Sequence, residues 1–265
     1  MFNTSIPIII LCGGMGTRLR EETEYKPKPM VEIGGKPILW HIMKHYAHYG
    51  FKDFILALGY KGNIVRDYFL NYYTYNSDIT VSLGEGGKVK YHNDCIRDDW
   101  SVTLVETGAE SMTGYRVKQA GKFVKEDNFM VTYGDAVSDV NLDKLLEFHL
   151  AHGLIGTVTG VYPPSRFGDL VTDGDHVIRF NQQMKETEKR EPINGGYFVF
   201  KKQFLELIPD DPAIDIERKP MSKLIERSQL SVYRHKGFWQ CMDTYRDTQL
   251  LMKMWKENPV WKIWE

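Results

Sequence analysis

A short apolar run that ends in clustered glycines constrains the fold of this chain more than any other feature. Residues 6–11 read IPIIIL, and CGGMG follows at residues 12–16. A β-branched run of this length predicts a buried strand, and the glycines predict a tight turn where the strand stops. Because glycine has no Cβ, its backbone N–H groups can come close to an anion. The segment therefore predicts a strand whose carboxyl end carries a loop suited to phosphate groups.

Fixed positive charge follows this glycine loop. Thr17 and Arg18 come directly after it, and Lys28 lies between Pro27 and Pro29. The prolines restrict the backbone on both sides of Lys28, which favours an ammonium group held in one direction. The spacing matches neither a P-loop nor the GxGxxG dinucleotide motif. A polyphosphate loop of another kind is our hypothesis, and a strand-to-helix turn that needs several residues with positive φ is the alternative for the glycines alone.

Strand and helix patterns alternate along the chain. Strands are predicted at residues 6–11, 54–58, 79–83, 102–106, 129–133, 157–162 and 197–200, with a hairpin at 169–180. Helices are predicted at residues 37–49, 63–73, 116–124, 142–152, 221–228 and 244–255. This alternation predicts an α/β fold with a mostly parallel central sheet flanked by helices and a small β insertion. We expect a single domain over residues 1–265.

Composition narrows the class of protein. The chain has 34 Lys and Arg against 35 Asp and Glu, which argues against nucleic-acid binding. Its apolar runs are far shorter than the ~20 residues of a membrane span, and no basic segment precedes the first run. The cysteines, Cys12, Cys95 and Cys241, form no CxxC pair, as expected for a protein of the reducing cytoplasm.

Motifs spread over the whole chain resemble those of the sugar-1-phosphate nucleotidylyltransferases. They are LCGGMGTRLREETEYKPKPMVEIGGKPILWHIM at 11–43, GYKG at 59–62, TLVETGAESMTGYR at 103–116, YGD at 133–135, PPSRFG at 163–168, INGG at 193–196, GFWQ at 237–240 and DT at 243–244. The resemblance implies a Rossmann-like nucleotide-diphospho-sugar transferase fold. It also implies transfer of the nucleotidyl group of CTP to glucose 1-phosphate, with release of pyrophosphate. The preference for cytosine over uracil depends on the resemblance alone.

The resemblance also assigns the donor side of the site. It implies that nucleotide contacts come from Leu11, Cys12, Gly13, Gly14, Gly16, Thr17, Thr107, Ser111, Gly114, Arg116 and Asp135. Arg18 is assigned to the leaving phosphates and Lys28 to the α-phosphate, both in a catalytic role. An ordinary N-cap turn is the alternative for any single residue of the segment before the helix at 116–124.

Two carboxylates are expected to hold Mg²⁺, since both reactants are polyanions. The resemblance implies that they are Asp135 and Asp243. Either one by itself is more often a cap or turn residue. Asp139 and Asp247 are competing ligands, and we interpret Asp247 as a surface or structural residue.

The acceptor side departs from the family. Asn194 and Gly195 are predicted to contact the hydroxyls of the sugar phosphate, and Lys185 is a third predicted substrate contact. Gln183, however, stands where relatives carry a lysine that meets the phosphate. Either Lys185 or Arg179 serves instead, or the acceptor is not ordinary glucose 1-phosphate. Arg166 is equally consistent with a structural and a substrate-facing role.

Other residues leave alternatives open. His41 and His45 have metal-ligand spacing but lack the glutamate of the zinc-protease pattern, so we interpret them as packing or surface residues. Cys12 is either a small apolar residue or a thiol with a lowered pKa.

The late tryptophans, Trp255, Trp261 and Trp264, either close the domain or fill a subunit interface. We favour the interface, and with it a homo-oligomer. Three competing functions are a cytidylyltransferase for another phosphorylated acceptor, a non-catalytic regulatory protein that binds nucleotide sugars, and a glycosyltransferase. The Asp-x-Asp pair expected of a glycosyltransferase is absent after Gly134.

Overall fold

A computed structural model describes residues 6–92, 98–163, 169–173, 175–181 and 191–264 of the chain. The strands are β1 (Ile8–Leu11), β2 (Glu32–Ile33), β3 (Lys36–Pro37), β4 (Asp53–Leu58), β5 (Ile79–Ser82), β6 (Lys88–Tyr91), β7 (Ser101–Glu106), β8 (Asn128–Tyr133), β9 (Ala136–Ser138), β10 (Gly156–Val161), β11 (Asp169–Asp173), β12 (His176–Asn181), β13 (Ile193–Lys201), β14 (Leu230–His235) and β15 (Trp239–Cys241). The helices are α1 (Arg20–Thr23), α2 (Ile38–His48), α3 (Gly62–Leu70), α4 (Tyr72–Asn76), α5 (Thr113–Ala120), α6 (Leu142–His152), α7 (Phe204–Leu207), α8 (Lys219–Glu226) and α9 (Tyr245–Glu257).

The central sheet has the strand order β14-β10-β13-β8-β1-β4-β7. β1 pairs in parallel with β4 and β8, and β4 pairs in parallel with β7. β13 runs antiparallel to both of its neighbours, β8 and β10. The predicted mostly parallel sheet is therefore confirmed, with β13 as its antiparallel member.

Both faces of this sheet are covered, as the apolar strands require. Side chains alternate across a strand, so Ile8 and Ile10 face one core together with residues of α2, α6 and α9. Ile9 and Leu11 face a second core with residues of α5, α7 and α8. The fully apolar β1 is thus explained by burial on both sides, and it carries the glycine loop into the middle of one edge of the sheet.

Short two-stranded sheets stand beside the central one. The predicted hairpin at residues 169–180 is β11 paired with β12. β5 pairs with β6, and β15 pairs antiparallel with β9 directly after β8. This last pairing brings a late segment of the chain to the carboxyl end of β8.

The expected tryptophan interface is wrong for two of the three residues. Trp261 and Trp264 are 1% and 8% exposed within the single chain. Their rings pack around His41 of α2, as does that of Trp255. They close the core on the α2 side, which leaves too little of their surface for a second subunit.

In the part of the chain that the structure describes, no helix combines the length and the apolar character needed to cross a membrane.

Candidate active site

A cleft of about 360 Å³ opens at the carboxyl ends of β1 and β8. Its lining comes from the glycine loop, the turn at Lys28–Met30, the start of α5 and the segment after β8. The lining residues are Leu11, Gly13, Gly14, Gly16, Thr17, Arg18, Lys28, Pro29, Ser111, Met112, Thr113, Arg116, Tyr133, Gly134, Asp135 and Asp243. The structure therefore brings together most of the predicted donor-side residues, from segments far apart in sequence.

Lys28 forms the charged centre of the cleft. Its Nζ donates to Asp135 Oδ2 and to Asp243 Oδ1, each at 2.6 Å. Burial lowers the pKa of Lys28, but the ion pairs with Asp135 and Asp243 outweigh it, so the pKa lies above its ordinary value. Lys28 is therefore a permanent cation, held between two carboxylates.

The backbone around Lys28 is as stiff as its prolines predict. Lys28–Met30 is a single 3-10 turn, closed by a hydrogen bond from Met30 N to the carbonyl of Pro27 at 2.8 Å. Pro29 packs against Gly134, where an added Cβ would lie 2.9 Å from the proline Cγ. Close packing against the end of β8 thus fixes the backbone from which the lysine side chain extends.

Pairing of β9 with β15 explains how two distant aspartates meet. Asp135 precedes β9, and Asp243 follows β15. The amide of Met242 donates to the carbonyl of Asp135 at 2.8 Å, which extends the ladder to the aspartates themselves. Arg18 Nη1 donates to Asp243 Oδ2 at 3.0 Å, so a second cation lies at the open side of the pair.

Asp247, which we interpret from the sequence as a surface or structural residue, has a structural role. It is 8% exposed, so the surface alternative is wrong. Its Oδ2 accepts from the backbone amides of Asp243 and Thr244, and Thr244 Oγ1 caps the start of α9 in return. This capping box ties the backbone of Asp243 to a helix end. Asp139, the other competing ligand, lies 2.9 Å from Nε2 of His235.

The glycine loop offers free donors to the cleft. Within the described residues, the N–H groups of Gly13, Gly14, Met15 and Gly16 have no acceptor. Gly16 has φ +61°, a conformation that glycine adopts without strain. Successive unpaired N–H groups of this kind form a concave anion site.

The side chain of Arg116 is buried beneath the glycine loop and hydrogen-bonds to it. The side chain is 3% exposed and donates to the carbonyls of Leu58, Gly13 and Ala109 and to the hydroxyl of Thr107. An added Cβ at Gly13 would lie 2.0 Å from Nη1 of this arginine. Arg116 thus positions the glycine loop through its hydrogen bond to Gly13, and Thr107 in turn holds the guanidinium, roles that the sequence did not indicate.

Two other predicted nucleotide contacts, Cys12 and Gly114, pack against other parts of the protein. Cys12 is fully buried, its amide donates to the carbonyl of Ala57, and burial raises the pKa of its thiol. Of the two alternatives for this residue, the small apolar role is therefore confirmed and the thiol with a lowered pKa is wrong. Gly114 packs against the segment before α8, where an added Cβ would lie 2.6 Å from Ile214 Cγ2. Ser111 lines the cleft as expected.

A hydrogen-bonded cluster beside the cleft includes Asn194, one of the residues predicted to bind the sugar phosphate. Glu217 Oε1 accepts from the hydroxyl of Tyr133 at 2.5 Å and from Asn194 Nδ2 at 2.7 Å. The other amide atom of Asn194 accepts from Gly196 N at 2.9 Å, so the side chain has a fixed orientation. Burial, followed by the bond to Glu217, raises the pKa of Tyr133. Gly195 follows Asn194 in β13, and its carbonyl accepts a hydrogen bond from Trp239 Nε1.

Sequence reasoning missed Glu217, Tyr133 and Pro29 as members of this region. Tyr133 directly precedes Gly134 and Asp135, and this position could have identified it as a site residue. Nothing in the sequence identifies Glu217, because it lies in a charged segment without a recognisable pattern. Lys185, Gln183 and Arg166 lie outside the described residues, as does the side chain of Arg179.

Comparisons with known proteins agree with this geometry. The chain is 46% identical over 259 residues to glucose-1-phosphate cytidylyltransferase of Salmonella typhi, covering 97% of this chain and 99% of that protein. It is 39% identical to a probable glucose-1-phosphate cytidylyltransferase of Bacillus subtilis, with the same coverage. Among solved structures it is similar to HddC from Yersinia pseudotuberculosis, with a TM-score of 0.67, 23% identity, and coverage of 94% of this chain and 98% of that one.

The profile described as nucleotidyl transferase matches residues 8–247, which include β1, the cleft and both aspartates. With a match over this range and relatives of such identity, the chain belongs to the nucleotidyl transferase family.

Proposed function

We propose that this protein transfers the cytidylyl group of CTP to glucose 1-phosphate and releases pyrophosphate. The names of the relatives at 46% and 39% identity support the choice of substrates. The observation that carries the chemistry is the meeting of Lys28, Asp135 and Asp243 beside a loop of free N–H groups. Cations, carboxylates and backbone donors in one cleft suit a reaction between two phosphate esters.

In the reaction, an oxygen of the sugar phosphate attacks the α-phosphorus of CTP. A new P–O bond forms as the bond to the β-phosphate oxygen breaks, and pyrophosphate leaves with that electron pair. The attacking oxygen is already an anion, so no side chain has to remove a proton or form a covalent intermediate. Catalysis is then a matter of position and charge, as in other phosphoryl-type transfers.

Lys28 and Arg18 supply the positive charge on the protein side. Lys28 approaches from a rigid turn and neutralises charge at the α-phosphate. Arg18 is 74% exposed in its side chain and reaches the outer phosphates from the mouth of the cleft. The N–H groups of residues 13–16 hold the phosphate chain, and Arg116 keeps that loop in place.

Asp135 and Asp243 would hold Mg²⁺ on the nucleotide phosphates. The residues fit such an ion, because a cationic nitrogen already lies 2.6 Å from one oxygen of each carboxylate. No group of three or more His, Cys, Asp or Glu able to ligate a metal is found in the described part of the chain. Two carboxylates completed by phosphates and water is the usual arrangement for this ion. When bound, it supplies charge neutralisation between the reactants.

For the acceptor, the cluster around Glu217 extends the predicted contacts of Asn194 and Gly195. Both ends of the Asn194 amide already have partners within the protein. Among the described residues, Oε2 of Glu217 has no hydrogen-bond partner. This oxygen can therefore accept a hydrogen bond from a hydroxyl of the sugar. Glu217 also fixes the hydroxyl of Tyr133, which lines the cleft.

A pyrophosphate-release screen tests the proposal. The protein is incubated with Mg²⁺, each of four nucleoside triphosphates and a panel of phosphorylated acceptors. We expect the fastest release with CTP and glucose 1-phosphate. Lys28→Met should lose release while it stays folded, and Lys26→Met, a change at the next lysine along, should keep it. Absence of release with CTP and any acceptor, from a protein that still binds the nucleotide, would favour a regulatory binding protein.

A different acceptor is the second candidate, because Gln183 replaces the phosphate-binding lysine expected from the family. If this departure matters, Gln183→Lys should raise the use of glucose 1-phosphate over other acceptors in the same screen. An unchanged preference means that another cation already serves the phosphate.

A further inference from the structure

The ammonium of Lys28 lies where the two proposed metal ligands converge. Its Nζ is equidistant from Asp135 and Asp243, at 2.6 Å from one oxygen of each. A Mg²⁺ ion bound to the same two oxygens at about 2.0–2.1 Å would lie within about 5 Å of the lysine nitrogen. Two cations this close, on one pair of carboxylates, repel each other, so nitrogen and metal compete for the same oxygens.

Burial strengthens this competition. The side chain of Lys28 is 12% exposed, and those of Asp135 and Asp243 are 29% and 25% exposed. Charges that are partly removed from water are screened less than surface pairs. Arg18, at 74% exposure, contacts Asp243 alone and does not lie between the carboxylates.

We propose that Lys28 is the resident cation of the metal site in the free protein, and that the metal is bound only as Lys28 moves from the aspartates to the nucleotide phosphates. The metal then comes in with the nucleotide. One residue has two successive partners: carboxylates in the free protein and the α-phosphate in the complex. This inference depends on the metal use proposed above and does not depend on which base or sugar is bound.

Binding of Mn²⁺ to the free protein, without any nucleotide, tests this. The probe is Mn²⁺ alone, followed by the electron paramagnetic resonance signal of the free ion. Lys28→Met keeps the length of the side chain and removes its charge. We expect this variant to bind Mn²⁺ more tightly than the unaltered protein by about tenfold or more, since a unit charge at contact distance is removed.

Two matched variants separate displacement from a general effect of charge. Lys26→Met removes a lysine whose partners are Glu22 and Glu32, and Mn²⁺ affinity should stay unchanged. Arg18→Met removes a charge that contacts Asp243 from outside, and it should raise the affinity by less than Lys28→Met does.

Three results would overturn the proposal, given circular dichroism that shows each variant folded. They are equal Mn²⁺ affinity in Lys28→Met and the unaltered protein, equal gains from Arg18→Met and Lys28→Met, and no binding to any of these proteins. None of them bears on whether CTP and glucose 1-phosphate are the substrates, because the measurement contains neither.

Discussion

At the scale of single residues, the glycine loop depends on one buried arginine. Arg116 donates to four oxygens. Its guanidinium group lies against Gly13, in the space that a Cβ would occupy. The space left by a missing Cβ is therefore filled by a charged group. A methyl group at that position would expel the guanidinium and leave buried carbonyls without a donor.

Gly13→Ala tests this dependence. We expect a loss of about 2–4 kcal/mol in the free energy of unfolding, because several buried hydrogen bonds break together. Gly14→Ala is the matched control, since nothing lies within 4 Å of an added Cβ there. Urea unfolding of both variants measures the difference. Equal stability of the two variants would contradict the structural role given to Arg116.

Glu217→Gln tests the acceptor cluster. The change keeps the shape of the side chain but removes its charge, and it replaces one of the two acceptor oxygens with an NH₂ donor. We expect the KM for the sugar phosphate to rise several-fold, with the KM for CTP unchanged. Glu226→Gln, at the exposed end of α8, is the control. A rise in both KM values from Glu217→Gln would show a general distortion of the cleft instead.

Sequence alone could predict that the glycine loop, Lys28 and the two aspartates come together, because glycines, prolines and charges have distinct physical roles. It could not show that Arg116 donates to the protein, or that Cys12 points into the core. Both depend on how β1 packs against β4 and α5, and a one-residue shift on a strand reverses the face. Roles in nucleotide and sugar binding stay predictions for every site residue.

At the scale of elements, two three-residue strands and one helix cap position Asp243. β9 and β15 are too short to show alternation, and no pattern predicted them. The β13 pattern was predicted only over residues 197–200 because Gly195 and Gly196 interrupt the apolar run, yet the strand spans Ile193–Lys201. By contrast, α9 was predicted at 244–255 and is found at Tyr245–Glu257, since its apolar spacing and capping residue act locally.

Thr244→Ala tests the role of this helix cap. Loss of the capping box should lower the free energy of unfolding by about 1 kcal/mol, and it should lower the rate because Asp243 loses its fixed backbone. Asn141→Ala removes the equivalent N-cap of α6, where Asn141 Oδ1 accepts from Lys144 N. It should cost similar stability with no loss of rate. If the two variants keep the same rate, the cap does not position Asp243.

At the scale of the whole molecule, the helices α2 and α6, which cover one face of the sheet, bury three histidines. His41 Nδ1 accepts a hydrogen bond from Trp261 Nε1, and His45 Nε2 is hydrogen-bonded to the carbonyl of Val140. His149 Nδ1 is hydrogen-bonded to Thr157 Oγ1. Burial is the largest cause that lowers the pKa of each, to about 4. The predicted packing role of His41 and His45 is what the structure shows.

Acid should therefore destabilise this fold. Between the ordinary pKa of 6.5 and the folded value of about 4, the unfolded chain binds more protons than the folded one. Stability is complete above that window and falls as the pH drops through it, by up to about 1.4 kcal/mol per pH unit for each such histidine. Urea midpoints at pH 7.5, 6 and 5 measure this, and His45→Gln should flatten the dependence. Midpoints that stay level would contradict neutral burial.

The pairing of β15 with β9 also has a consequence in time. A chain is synthesised from its N-terminus, so Lys28 and Asp135 are made before β15. Until β15 follows, Asp135 is the one member of the carboxylate pair that the chain contains. Asp243 joins them only after most of the central sheet has been synthesised. A growing chain thus carries the phosphate loop and the lysine through the synthesis of the central sheet before it contains the second carboxylate of the pair.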